Sequence, residues 1–598
     1  MRFDGRTPGE LTQSQQWAWH DTLETWHEPE IRLSPEALTV FKFNTRIRSW
    51  GVDTTHSFQI GNGSPQQVTF SQPDVWLSAV TFLGDNLATQ PTTLIVHVAN
   101  RQRNAVRMAS CQIWLPKSSE SRHVLAKSSA VEQLTMFPED GRIPAGEKGG
   151  FIAQCTPLPL TYGVIEVKVA LAFAQQQSLF AHLRIKPAVF DISGGWIRRM
   201  VSWRRDSAPL VLVPYVKTFE FMHINTGHTD YWRGFSDDED LSRYPLKLFD
   251  HLTPVEKFDN DRVLPCVHAV DAVGRPQFGS GRRWTPSDVF RKLAPYQATR
   301  LPTSVTHTDE RVWRCYAGLS DYPNLEACRV NAPAADAWLA YDRWDGQQIR
   351  WGAPLETIGD LTRSLRELNR PMPIACWSQA AHTGWGLTTG RSRAVPTPDE
   401  LRAQAYQALA NRITSLYWFN VNLESLVEFP DLIAPITCIN REIRLMDHIL
   451  VQGDAYEYRR VLSDGKLDWD LSSIASRDAA VLFANDLAYH IEADRGVFQF
   501  ESARDAELQF RLPLWLRSPA EVFRMDAAGT HNVECAMQHE SLTIRDRVPV
   551  VGIYIVAREP GLREQIQQKH AALLAEEQAV GFDPSTKEAD LQTLRELR

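Results

Sequence analysis

The chain has 598 residues, of which 43% are hydrophobic and 23% charged, enough apolar material for several cores and too much for a disordered chain. Its formal net charge of −8 gives no bulk electrostatic case for nucleic acid or an anionic membrane surface. No run approaches the ~18 apolar residues of a membrane-crossing helix, and the one compositional excess is 19 Trp.

The first residues, Met1–Arg6, lack the apolar segment of a secretory leader. The eight cysteines are scattered, with no C-x-x-C pair and no Cys/His metal spacing. These features predict a cytoplasmic setting with free thiols, no cofactor and no metal. Residues 1–30 are polar with no clear period. From about Ala37 to Phe173 short alternating runs follow, such as Thr39–Asn44, Thr93–Val98 and Val164–Val169. They are punctuated by Gly61-Asn62-Gly63-Ser64-Pro65 and by Pro144–Gly150, which predicts an N-terminal β-sandwich over 1–180.

The grammar changes near Leu183. Apolar strands now alternate with helix-length segments. The expected strands are Ile185–Ile192 or Leu210–Val216, Thr218–Asn225, Val263–Asp271, Thr303–Thr308, Glu326–Asn331, Trp338–Trp344, Pro371–Ser378 and Ser415–Val421. Helices are expected at Pro286–Leu293, Leu355–Leu368 and Pro398–Ala410. The last opens with Thr397 as a cap, Pro398 at the first position and two acids in the first turn. About eight strands alternating with helices over 181–460 predict a (β/α)8 barrel. No glycine-rich phosphate loop follows any strand, which disfavours a nucleotide-binding open sheet. Strands return from Ser472, giving a second, smaller sandwich over 461–559. The tail, 560–598, carries Leu562, Ile566, Leu573 and Leu574 at helical spacing, so it is expected to pack on a neighbouring unit.

A barrel of this kind carries its chemistry at the C-terminal ends of its strands. That filter selects Asp271, Asp309, Glu310, Asp342, Asp345 and Glu356 as candidate catalytic carboxylates. The segment Trp338–Gly346 is the most suggestive, because it runs a strand into Asp342, Arg343, Trp344 and Asp345. Each candidate also has a plainer reading. Asp342 beside Arg343 is a ready ion pair, and Asp309 is well placed to cap a helix starting at Glu310. Candidate substrate contacts are Glu220, His223, His228, Trp232, Arg343, Trp344, Trp351, Trp377, His382, Trp418 and Asn420. These combine rings that can pack on sugars with side chains that grip hydroxyls.

The Gln404-Ala405-Tyr406 stretch within Arg402–Ala410, leading into Ile413–Phe419, is similar to the last helix–strand step of multidomain (β/α)8-barrel glycoside hydrolases. The order sandwich, barrel, sandwich resembles them over nearly the whole chain. That resemblance implies cleavage of an oligo- or polysaccharide by two carboxyl groups, one acid and one base or nucleophile. One departure stands out. In the largest retaining group the nucleophile glutamate ends the seventh strand, whereas Pro371–Gln379 ends without a carboxylate. Two other readings stand beside it. One is a carbohydrate-binding scaffold on an inactive barrel. The other is a metal-dependent hydrolase using His223, His228, His268, His307 and His382. The partner expected is a carbohydrate, with no nucleic acid and no membrane, and the sequence leaves room for a homo-oligomer.

Overall fold

The computed structural model describes residues 54–70, 73–116, 125–127, 131–158, 162–171, 175–196, 216–229, 246–250, 267–271, 284–293, 301–330, 353–382, 393–421, 423–492 and 496–580. It also describes strand fragments at 2–3, 18–20 and 41–43 and a few single positions. Of the expected strands, Trp338–Trp344 lies outside these residues, as does most of Leu210–Val216.

Besides a three-stranded sheet of Arg2–Phe3, Thr54–Gln59 and Gln66–Phe70, the N-terminal part holds two layered sheets. Strands Glu132–Phe137, Lys148–Cys155, Thr92–Asn100 and Val75–Leu83 form one. Strands Arg142–Ile143, Val106–Pro116, Tyr162–Ala170 and Gln176–Arg184 form the other, with Leu125–Lys127 paired to Val106–Pro116. Their inward residues, among them Val96, Val98, Phe151, Ile165 and Val167, share one apolar cluster. That is the period-2 pattern of two facing sheets. The expected turn Gly61–Pro65 lies between strands, whereas of Pro144–Gly150 only 144–147 turn and Lys148 already opens the next strand.

The central sheet has eight strands, β1 (Asp191–Trp196), β2 (Thr226–Thr229), β3 (Lys247–Asp250), β4 (Val267–Val270), β5 (Ser304–His307), β6 (Tyr322–Glu326), β7 (Ala375–Gln379) and β8 (Ser415–Phe419). Its order is β4-β3-β2-β1-β8-β7-β6-β5, every pairing is parallel, and the two edges are joined by a parallel bridge from Val270 to Thr303. The sheet is strongly curled. Phe249 on β3 and Tyr322 on β6 lie five strand spacings apart along the sheet, about 24 Å if it were flat. Their rings are 6.1 Å apart.

Residues alternate across this curl. Ala375, Trp377 and Tyr417 point inward with Phe249, Ala269 and Tyr322. Cys376, Leu416 and Trp418 point outward into the helix-side core. Helices α1 (Pro286–Leu293), α2 (Glu356–Asn369) and α3 (Pro398–Leu409) follow β4, β6 and β7, close to the expected bounds. Thr397 and Glu400 form the reciprocal capping box at the start of α3.

Two expectations are corrected. Thr218–Asn225 is not a strand: 216–221 is helical, and Phe219 and Met222, three residues apart, bury one face. The β-rich composition misled because helical spacing places both side chains in the core. The first strand begins at Asp191, near the end of the expected Ile185–Ile192. Elements not anticipated include β2, which starts just past the expected Thr218–Asn225, β3 and helix α4 (Ile433–Gln452).

A C-terminal pair of sheets follows. Strands Asp454–Ser463, Lys466–Ala475, Ala479–Asp486, Val551–Ala557, Glu521–Asp526 and Gly529–His531 form the larger. Strand Asp454–Ser463 runs across the boundary expected between 460 and 461. Along Ala479–Asp486 the alternate residues serve two cores. Ala480, Leu482 and Ala484 face the smaller sheet of Arg504–Arg511, Ser541–Val548 and Glu534–Gln538, while Val481 and Phe483 join the core that holds α4. Helix α5 (Leu562–Val580) packs on α4 and the larger sheet, burying Ile566 and Leu573.

Candidate functional site

The rim of the curl is formed by the C-terminal ends of the strands. β1 carries two glycines just before its last residue because its neighbours come too close there for a side chain. A Cβ on Gly194 would sit 2.0 Å from the Phe219 ring, and one on Gly195 would sit 2.3 Å from Asn420 Oδ1. This close approach sets the buried Asn420, just past β8, against β1.

His228 on β2 is buried inside the curl. Its Nδ1 lies 2.9 Å from Ser193 Oγ, and its ring stacks on Phe249 at 4.8 Å. From His228 a ladder of rings climbs toward the rim. Trp377 follows at 4.5 Å, Phe419 is 5.9 Å from Trp377, and His382 is stacked on Phe419 at 5.1 Å. Trp377 is fixed by its indole N–H, which donates to Asn324 Oδ1 at 3.0 Å. Asn324 in turn donates to Ser304 Oγ at 2.8 Å. Phe419 and His382 are half-buried, so the ladder ends at an accessible face.

Two strand-end carboxylates belong to the same inner side. Asp271 follows β4 in register with the inward Ala269, is 1% exposed, and its charge contributes to raising the Tyr417 phenol. Glu326 ends β6 in register with inward Tyr322 and Asn324, and accepts two hydrogen bonds from Arg275 Nη1 at 2.8 and 3.1 Å. Arg275 lies in the segment after β4, so the pair spans two strands across the rim. β7 ends in Gln379, whose Oε1 accepts from Val330 N–H at 2.7 Å and whose backbone exchanges bonds with Gln404 on α3.

The other expected residues go elsewhere. Trp418 is fully buried in the helix-side core, its indole N–H on Asn440 of α4 at 3.0 Å, because position 418 is on the outward side of β8. His223 is not a rim residue: it lies in the turn before β2, on Glu577 of α5 at 2.7 Å. Glu220 is exposed on the helix before that turn. Glu356, 3% exposed, accepts from the Tyr489 phenol at 2.5 Å and braces α2 against the C-terminal sheets. His307 is an outward core histidine beside Trp313, and burial pulls its pKa down to about 3. Asp309 is buried, its carbonyl accepting from Trp313 N–H, and Glu310 is exposed at the start of the short helix Glu310–Trp313. Trp232, Asp342, Arg343, Trp344, Asp345 and Trp351 lie outside the described residues.

Glu326 and Arg275 were missed as a site pair. The Tyr322-x-Asn324-x-Glu326 alternation was the available signal. Placing the strand at Glu326–Asn331 turned its end into its beginning. Among the described residues no group of three His, Cys, Asp or Glu could hold a metal ion, and no helix is long and apolar enough to cross a membrane.

No protein-family model and no curated protein matches this chain. The solved structures to which it is similar are carbohydrate-active enzymes. A family 39 glycoside hydrolase from Bacteroides cellulosilyticus WH2 is 8% identical, with 80% of this chain and 100% of that one covered at a TM-score of 0.32. A family 5 glycoside hydrolase from Bacteroides vulgatus is 9% identical, with 62% and 89% covered at 0.38. A cycloisomaltooligosaccharide glucanotransferase from Paenibacillus sp. is 8% identical, with 80% and 99% covered at 0.34. The resemblance is to these solved structures and to nothing finer. At such scores it decides nothing about the site, whose reading rests on its own geometry.

Proposed function

We propose that the curled sheet is a closed (β/α)8 barrel flanked by two sandwiches, and that its rim binds a carbohydrate chain and hydrolyses a glycosidic bond. The observation that carries this reading is that Asp271, just past β4, and Glu326, at the end of β6, both stand at the C-terminal rim in the inward register, the same end toward which the ring ladder runs to Phe419 and His382. Aromatic faces pack on the apolar faces of sugars, and a carboxyl pair is the minimum for acid–base cleavage of a glycoside. In this reading Glu326, with Arg275 as its counter-ion, acts as base or nucleophile. Asp271 delivers a proton to the leaving oxygen. Asn420 and His382 contact sugar hydroxyls.

The test is a polysaccharide panel scored for new reducing ends. Asp271→Asn and Glu326→Gln are each expected to lower the rate by about 10²–10⁴-fold while sugar binding persists. Full activity in both variants would remove this pair from the reaction.

A second reading, a carbohydrate-binding scaffold without catalysis, is favoured by one specific pattern. Glu326 is already ion-paired, and β7 ends in the uncharged Gln379. Binding on a glycan array without release of reducing ends from the bound polysaccharides would select it.

A further inference from the structure

We propose that the opposite end of the curl, its floor, holds a binding site for one small oxyanion the size of phosphate or a short dicarboxylate, clamped by Lys186 and Arg412. A cavity of about 50 Å³ lies there between the N-terminal sheets and the starts of the central strands. One water needs ~10–15 Å³, so the space suits a polyatomic ion and is too small for a sugar chain. Its charged lining side chains are Arg184, Lys186 and Arg412, and no carboxylate lines it. Thr81, Tyr322 and Thr414 also line it, but their hydroxyls donate to the Val451 carbonyl, to Asp191 and to the Ile374 carbonyl, which leaves the two cations as the donors to an anion.

The nearby carboxylates hydrogen-bond to other partners, although the charge of Asp191 acts on Lys186 and that of Asp454 on Arg412. Asp191 accepts from Tyr322 and Ser415 hydroxyls at 3.2 Å each. Asp321 takes Arg184 at 3.4 Å and the Thr303 amide and hydroxyl at 3.0 Å. Asp454 takes Lys148 at 2.7 Å. The Lys186 ammonium stands 4.3 Å from the centre of the Tyr322 ring and has no hydrogen-bond acceptor among the described residues. Arg412, 2% exposed, donates from Nε to the Gly453 carbonyl at 3.2 Å; its terminal nitrogens meet no acceptor among the described residues. A buried cation with unused donors is costly, as Arg412 is here, and an anion seated between it and the half-buried Lys186 lowers that cost. In support, burial pushes both groups down toward their neutral forms.

Thermal unfolding tests the site independently of the rim. Inorganic phosphate and succinate are titrated into the full-length protein, each against sodium chloride at matched ionic strength. At least one is expected to raise Tm by about 2–4 °C at saturation. That rise should vanish in Lys186→Met. It should vanish also in Val189→Trp, which fills the cavity from its half-exposed edge and leaves both cations in place. No rise with either anion overturns the proposal, as does an equal rise in whichever of the two variants folds. Hydrolytic activity plays no part in the readout, so failure here leaves the reading of the rim untouched.

Discussion

The two ends of the curled sheet are built from the same eight strands, yet they differ in kind. At the rim the inward positions are Asp271, Glu326, Gln379 and Phe419, and the ring ladder reaches an accessible face. At the floor the inward positions are Asp191, Tyr322 and Ser415, knitted into one buried hydroxyl–carboxylate cluster. The N-terminal sheets close the floor. Ala188 N–H bonds to the Phe82 carbonyl at 2.9 Å, and the Thr81 hydroxyl reaches the Val451 carbonyl at 3.1 Å. The difference shows how one architecture separates stability from chemistry. At the covered end the strand-borne hydroxyls and carboxylate satisfy one another, with Lys186 and Arg412 beside them as the exception, whereas at the open end the side chains face an accessible rim.

The comparison can be broken first at its middle layer. Trp377→Ala removes a ring that touches His228, Tyr417 and Phe419 and leaves Asn324 without its donor. It is expected to cost about 3–5 kcal/mol. A urea melt that moves by less than about 1 kcal/mol would mean that the interior repacks around the loss.

Acid should loosen the covered end next. His97 of the N-terminal sheets, its Nε2 2.8 Å from the Gln452 carbonyl, is pushed down to about 4, chiefly by burial. Asp454 pulls the other way, and Arg412 and Lys148 add to the lowering. The folded protein therefore keeps His97 neutral, while the unfolded chain takes up its proton near pH 6.5. The stability so held is complete above pH 6.5 and is lost as pH falls from 6.5 toward 4, on the order of 3 kcal/mol. His97→Gln keeps an N–H donor, so its stability should fall less steeply over this window. Identical pH slopes for the variant and the parent would contradict the assignment.

At the open end the effects are smaller and fall on binding. Phe419→Ala should weaken sugar affinity by about 1 kcal/mol, read by titration calorimetry with whichever oligosaccharide the protein binds. The smallest effect is at Arg275, 44% exposed in its pair with Glu326. Arg275→Gln should change stability by less than about 1 kcal/mol. If it also leaves hydrolysis and binding unaltered, the pair has no part in the rim's work.

Much of the fold is legible locally. Helix α1 matches its expected bounds, and α2 and α3 come within one residue, because amphipathic spacing, an N1 proline and a capping residue act over a few residues. Strands β4, β5, β7 and β8 overlap their expected segments for a similar reason, since short apolar runs bounded by turns are local signals. The candidate site was less legible. Asp271, His228, Trp377, His382 and Asn420 do lie in or around the rim. Trp418 belongs to the outer core, and Glu326 came to light only with the register of β6. A shift of strand bounds by an odd number of residues reverses which side chains point inward, and composition does not set it.

The sequence by itself determined the strand–helix alternation, the excess of tryptophan and the capped start of α3. Only the tertiary structure decided what the polar groups do. Glu400, read as an acid of the first helical turn, also accepts the Phe498 N–H at 2.8 Å and pairs with Arg393, joining α3 to the C-terminal sheets. His223 and Glu356, read as candidate site residues, are taken up by Glu577 and Tyr489, 354 and 133 residues away. Helix and turn preferences arise from neighbours in the chain. The fate of a buried charge depends on partners that only long-range packing brings within hydrogen-bond reach.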